Sequence, residues 1–187
     1  MSKKRSKKTN PNRIPVSHNT IDEHAIMVES STGNMYYAWL ITLPALFQFE
    51  RLSVRDIAKL WDIVNQHATD KDFRGQQMKE EISRARLALS LAPAPSYPDL
   101  SLIRTRGALE AAKKKYKKSA DEAALCLIWL GFEQSGMFTS DELKRISLNI
   151  QITCAELETG VVSFKKLAEL AFEHEIDIRQ WENTADF

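Results

Sequence analysis

The sequence predicts an all-α protein, a compact bundle of about seven or eight helices in two sequence-related halves behind a disordered basic N-terminal arm. Three observations carry that prediction. Apolar residues recur at helical spacing through most of the 187 residues, and 43% of the chain is hydrophobic, enough for one well-buried core. Six Gly and six Pro leave little material for a turn-rich all-β fold. Laying Ser53 over Thr139 also brings one apolar, capped stretch onto another with their apolar positions largely coinciding.

The elements follow in order. Residues 1–18 read as a basic flexible arm, too poor in apolar residues to fold alone. The first helical half, residues 19–91, opens with a short helix over "IDEHAIMVE", whose Asp22 and Glu23 complement the helix dipole in its first turn. "MYYAWLITLPALFQF" is apolar on all sides, so as a helix it must lie centrally, with a kink or break at Pro44. From Ser53 to about Asn65 the residues Val54, Ile57, Leu60, Trp61 and Val64 share one face of an amphipathic helix. A further helix spans about Gly75 to Leu91.

Residues 92–98, with Pro93, Pro95 and Pro98, form a stiff linker to the second helical half, residues 99–187, and the two halves share one core. Asp99 is placed to cap a helix reaching about Lys118, and Ser119 with Glu122 offers a capping box for a separate helix over "DEAALCLIWLGF". Gly136 breaks the chain. Thr139 and Glu142 form the next capping box, ahead of a helix that buries Leu143, Ile146, Ile150, Cys154 and Leu157 and stops at Gly160. Ser163 opens a last helix with Phe164, Leu167, Leu170 and Ala171 inward.

The superposition that aligns Ser53 with Thr139 also aligns Asp56 with Glu142, Ile57 with Leu143, Lys59 with Arg145 and Leu60 with Ile146. Identities are few, which leaves both an old duplication and two independent solutions to one packing problem open. The stretch "RLSVRDIAKLW" suggests the entry to a helix-turn-helix. That motif needs a tight turn, often with Gly, where this chain has Asp62 and an apolar period running on through Val64. A continuous capped helix is the better account.

The net charge of +1 conceals polarity along the chain. Residues 1–16 carry six basic groups and no acidic one, and residues 104–118, "RTRGALEAAKKKYKK", carry seven against Glu110. The remainder is strongly acidic, most of it after residue 119. The candidate binding residues are therefore Lys3, Lys4, Arg5, Lys7 and Lys8 in the arm, with Arg104, Arg106, Lys113, Lys114, Lys115, Lys117 and Lys118 in the basic helix. They would neutralise phosphates, and Tyr116 would add stacking. Two competing readings are a solvated face and docking of the basic helix on the acidic C-terminal half through Glu156, Glu158, Glu169, Glu173 and Glu175.

Other chemistry finds little purchase. "DKDFRGQQMKEE" sets Asp70, Asp72, Gly75 and Glu81 at positions 1, 3, 6 and 12 of a calcium loop, but Arg74 occupies position 5, where an oxygen ligand belongs. "AELETGVVSFKK" has Ala155 first and Lys166 last; loops joining two helices explain both stretches without metal. His18, His24, His67 and His174 are scattered, and neither Cys126 nor Cys154 has zinc spacing, so both cysteines read as reduced core thiols and no metal or cofactor is expected. No phosphate loop, nucleophile elbow or paired-His motif occurs. With no secretory signal and no apolar run of the ~20 residues that span a bilayer, the expected setting is cytoplasmic.

The stretches "DEAALCLIWLGF", "GMFTSDELKRI", "LETGVVSFKKL" and "EHEIDI", behind a Lys-rich N-terminal arm, resemble small uncharacterised helical proteins of phages and mobile elements of Gram-positive bacteria. The resemblance implies a bacterial, phage-linked, cytosolic setting and transfers no functional residue. The function expected is that of a non-catalytic interaction protein binding a host protein or a protein–nucleic acid assembly. Direct binding of DNA or RNA through the arm and the Lys-rich helix is the alternative, and an unrecognised enzyme a further one.

Overall fold

The computed structural model describes residues 33–69, 76–93, 103 and 105–177. Within them the regular elements are six α-helices: α1 (Asn34–Leu46), α2 (Val54–Thr69), α3 (Gln76–Ala88), α4 (Arg106–Gln134), α5 (Ser140–Thr159) and α6 (Phe164–Glu173). The helix expected over "IDEHAIMVE" and most of the Pro-rich linker lie outside the described residues.

Helix α1 is central because almost none of its surface is polar. Trp39, Leu40, Leu43 and Leu46 are buried completely or nearly so, and the helix packs against α4, α5 and α6. Its one buried hydroxyl is satisfied, since Thr42 Oγ1 donates to the Trp39 carbonyl at 2.9 Å. Pro44 produces no break in mid-helix. It falls in the last turn, and the chain leaves the helix two residues later.

Two capping boxes set the starts of α2 and α5. Ser53 N–H and Oγ donate to Asp56 Oδ2 at 3.1 and 2.7 Å, while Asp56 N–H donates back to Ser53 Oγ at 3.3 Å. Thr139 N–H donates to Glu142 Oε2 at 2.8 Å, and Glu142 N–H returns the bond to Thr139 Oγ1 at 3.3 Å. From Ser53, α2 runs unbroken through Asp62, as the apolar period requires, and buries Ile57, Leu60, Trp61 and Val64 against α4. Val54, in its first turn, is exposed. Helix α5 buries Ile146 and Ile150, with Leu143, Cys154 and Leu157 packed beside them, and stops at Gly160, whose φ of +74° is the left-handed geometry glycine adopts without strain.

The basic segment and the apolar segment that follows it are one helix. Ser119 does not cap anything: it is buried in the middle of α4, which continues from Arg106 to Gln134 and is about 43 Å long at 1.5 Å per residue. The cap is Thr105, whose Oγ1 accepts from Ala108 N–H at 3.2 Å, and Asp99 lies outside the described residues. The residues expected to form a second box have other partners. Glu122 faces Arg86 of α3 across a buried ion pair, Nη2 to Oε2 2.5 Å. Gly131, deep in α4, lies against Val64 of α2 so closely that a Cβ would collide with the valine.

Helices α3 and α6 close the bundle, on α4 and α1 respectively. Helix α6 buries Leu167 and Ala171; Phe164, expected inward, is 38% exposed and meets Tyr37 edge-on, with centroids 4.8 Å apart. Both helices end alike. Leu91 N–H reaches back to Arg86 O at 2.8 Å past Ser90 (φ +54°), and Ile176 N–H to Ala171 O at 3.0 Å past Glu175 (φ +61°). One core cluster takes side chains from all six helices, with an aromatic run from Trp61 through Trp39, Phe132 and Phe138 to Phe49.

Candidate functional site

The Lys-rich segment is the first half of α4, and its geometry follows from one buried stripe. Ala112, Tyr116 and Ser119, spaced at i, i+4 and i+7, face inward; Ala112 and Tyr116 form a small satellite core with Ile103 and Leu109. At about 100° per residue, the opposite face is centred on Lys114, with Lys117 and Lys118 about 50° to either side. Lys117 and Arg106 lie to one side of that centre and Lys115 to the other, and all five are exposed. Lys113 sits at the boundary, half-buried. Their axial spread, from Arg106 to Lys118, is about 18 Å.

Each cation has a different surrounding. Lys118 Nζ lies 3.9 Å from Glu122 Oε1, one turn on, while 72% of the lysine side chain stays exposed. Lys117 Nζ stands 5.8 Å from the centroid of the Tyr37 ring. Lys115 has Ala111, Ala112, Lys118 and Ser119 at its helical neighbour positions and no acid among them. Beneath Lys117 the Asp121 carboxyl is pushed above its ordinary value, first by burial and also by Glu122, with Lys117 pulling the other way.

Tyr116 cannot stack on a base, because the packing stripe carries it inward and leaves it 4% exposed. Lys3, Lys4, Arg5, Lys7, Lys8 and Arg104 lie outside the described residues. Of the acids proposed as an internal dock, Glu158, Glu169, Glu173 and Glu175 are exposed and Glu156 half-buried, and Glu169 meets Lys165 of its own helix at 3.7 Å.

The remaining candidates carry less. Asp70, Asp72 and Gly75 of the calcium-like loop lie outside the described residues, and Glu81 pairs with Arg84 at 2.6 Å. Gly160 of the second loop is the helix stop already described. Among the described residues no group of three or more His, Cys, Asp or Glu side chains could hold a metal, and no helix is long and apolar enough to cross a membrane. His174 stacks flat on Phe47, with centroids 3.8 Å apart. Burial pushes the Cys126 and Cys154 thiols up to about 11. A cleft of about 310 Å³ between α3, α4 and α5 is lined by Trp129, Glu133, Leu143, Lys144 and Gln151. A groove of about 290 Å³ beside α6 is lined by Pro44, Glu156, Lys166, Glu169 and Glu173.

Three residues that fix the surroundings of α4 escaped the sequence reading. Arg86 had a signal, since it falls on the same helical face as Ile82, Ala85 and Leu89, where a cation needs a buried partner. Gly131 and Tyr37 had none, because their roles depend on Val64 and Lys117 arriving from other helices.

Comparison of the chain with models of known families, with curated proteins and with solved structures finds no match.

Proposed function

We propose that this chain is a non-catalytic interaction protein that engages a protein–nucleic acid assembly, with the exposed basic face of α4 as its docking surface. The supporting observation is that one continuous helix carries Arg106, Lys114, Lys115, Lys117 and Lys118 outward while its other face is buried, so the cations form a positioned array. The reading takes its setting, a phage or mobile element, from the sequence resemblance alone, and a cytoplasmic location with it. The test is capture from bacterial lysate, with and without nuclease, using the full chain and a Lys114→Glu, Lys115→Glu variant. A stoichiometric assembly that is lost from the variant and sensitive to nuclease is expected. Equal capture by both proteins would move the docking surface off α4, and no stoichiometric partner would overturn the reading.

The two-half architecture belongs to the same proposal, and packing supports it. Counterparts under the Ser53-to-Thr139 superposition share burial: Leu40 with Cys126, Leu43 with Trp129, Leu46 with Phe132, Leu60 with Ile146 and Val64 with Ile150. Contacts exchange in the same way, since α1 packs on α5 and α6 while α4 packs on α2 and α3. Arg51 Nη2 donates to the carbonyl of Met137, its own counterpart 86 residues on, at 3.0 Å, as a pair on a pseudo-two-fold axis would. Each half therefore completes its core with the other, and the basic extension of α4 is an addition to one of them.

A further inference from the structure

We infer that the basic face of α4 takes double-stranded nucleic acid by its phosphate backbone, without reading or stacking on bases; the inference rests on the docking surface proposed above. Its first support is the absence of an apolar anchor. Protein interfaces are held by large aromatic or aliphatic side chains seated in the middle of the contact. The exposed positions between Arg106 and Lys118 offer only Gly107, Ala108, Ala111 and charged groups, Glu110 among them; the large apolar side chains with the greatest exposure, Leu87, Leu148 and Phe172 among them, belong to other helices, and Tyr37, 38% exposed, meets the face at its margin through Lys117. Phosphate binding needs no such anchor.

The second support is the fate of the aromatic rings. Proteins that hold single strands interleave cations with exposed rings on which bases stack. Here Tyr116, the ring embedded in the lysine run, is 4% exposed, and the neighbouring Tyr37, 38% exposed at the margin of the face, already has Lys117 above it and Phe164 at its edge. Cations without rings recognise charge density, which is greatest on a duplex at one phosphate charge per about 1.7 Å of axis. The array spans about 18 Å along the helix, a length of duplex that carries about ten phosphates on its two strands, of which about half face any one side, enough for the five exposed cations. With Ala112, Tyr116 and Ser119 turned inward, α4 presents one continuous cationic face to the phosphate ridges.

The experiment is fluorescence anisotropy of the full chain against a labelled DNA duplex of about 20 base pairs, an RNA duplex of that length and the matching single strand, across a salt series. Both duplexes are expected to bind more tightly than the single strand, a scrambled duplex equally well, and log K should fall with log salt, the five α4 cations contributing about −4.5 to the slope for DNA at about −0.9 each. Replacing Lys114, Lys115 and Lys118 by Ala should make the slope shallower by about 2.7 and weaken duplex binding by about a hundredfold or more at low salt. Tighter binding of the single strand overturns the duplex inference alone. Binding of one duplex and not the other, or of one sequence over its scramble, overturns the claim that phosphates alone are read. An undiminished slope in the triple variant removes the assignment to α4. No binding to any probe removes the inference and the nucleic-acid part of the docking proposal together.

Discussion

Removing the Arg86 guanidinium should destabilise the protein more than removing both members of its ion pair. The Arg86 side chain is 5% exposed and that of Glu122 13%, and their contact joins α3 to α4. Arg86 also donates through Nε and Nη2 to the Ala92 carbonyl at 2.8 and 2.5 Å, holding the chain that leaves α3. Arg86→Met keeps much of the side-chain volume but strands a carboxylate that solvent barely reaches and removes both donors from Ala92. Breaking a buried pair from one side costs about 3–5 kcal/mol. Lys118, 3.9 Å from the other Glu122 oxygen, screens part of the exposed charge and sets the expectation near the lower end, about 3 kcal/mol. The Arg86→Met, Glu122→Leu double variant removes both charges, so its cost should be about 1 kcal/mol or less.

Urea unfolding followed by tryptophan fluorescence measures all the corners of this cycle. At an m value of about 2 kcal/mol per molar, the single variant should shift the midpoint by about 1.5 M, and by the usual scaling for a chain of this size its Tm should fall by about 6–12 °C. A single-variant cost below about 1 kcal/mol, or a double variant whose cost equals the sum of the two singles, would refute the reasoning. Either result would mean that the pair is hydrated in solution and that α3 is held by its apolar face and by contacts such as Arg84 with Glu133.

Three further outcomes follow from the packing and the caps. Gly131→Ala should destabilise by about 1–3 kcal/mol in the same unfolding assay, despite the better helix propensity of Ala, because the new methyl group meets Val64. The Ser53 hydroxyl and then its backbone N–H hold the Asp56 carboxylate down to about 2, and the Thr139 backbone N–H and then Arg51 do the same for Glu142. Both pKa values lie below their unfolded counterparts, so the stabilisation is fully present above about pH 4.5 and is lost as the pH falls towards 2. Glu142→Gln should accordingly lower Tm at pH 7 and flatten its decline over that acid range. With both thiols pushed up to about 11, a disulfide reagent at pH 7 should leave Cys126 unmodified in the native state and label the half-buried Cys154 slowly, and denaturant should release both.

What the sequence made legible was local, and what it concealed was the contact between distant segments. The boxes at Ser53 and Thr139, the stop at Gly160 and the buried stripe of α5 each depend on residues within a few positions of one another. The four-residue pattern from Ser119 to Glu122 has the same local signature and forms no cap. Nothing between Gly107 and Gly131 breaks a helix, Ser119 continues the inward stripe of Ala112 and Tyr116, and Glu122 finds Arg86, 36 residues earlier in the chain. The candidate site was legible in the same partial way. Charge density located the lysines, whereas the direction of Tyr116 depended on which face of α4 meets the rest of the protein.

That division within α4 decides how a binding result should be interpreted. From Ala124 to Phe132 the helix is buried on nearly all sides, whereas between Arg106 and Ser119 only one stripe is covered. Substituting Ala for Lys114 and Lys115 keeps a strong helix former at two exposed positions and removes no packing, so Tm should change by no more than about 1–2 °C, the shift expected for about 0.5 kcal/mol. Ala at Lys118 also gives up the long contact to Glu122, which at 72% exposure is worth only a few tenths of a kcal/mol. If the triple variant instead unfolded several degrees lower, these lysines would be holding an acidic surface of their own chain, and the weaker binding would measure lost structure in place of a lost interface.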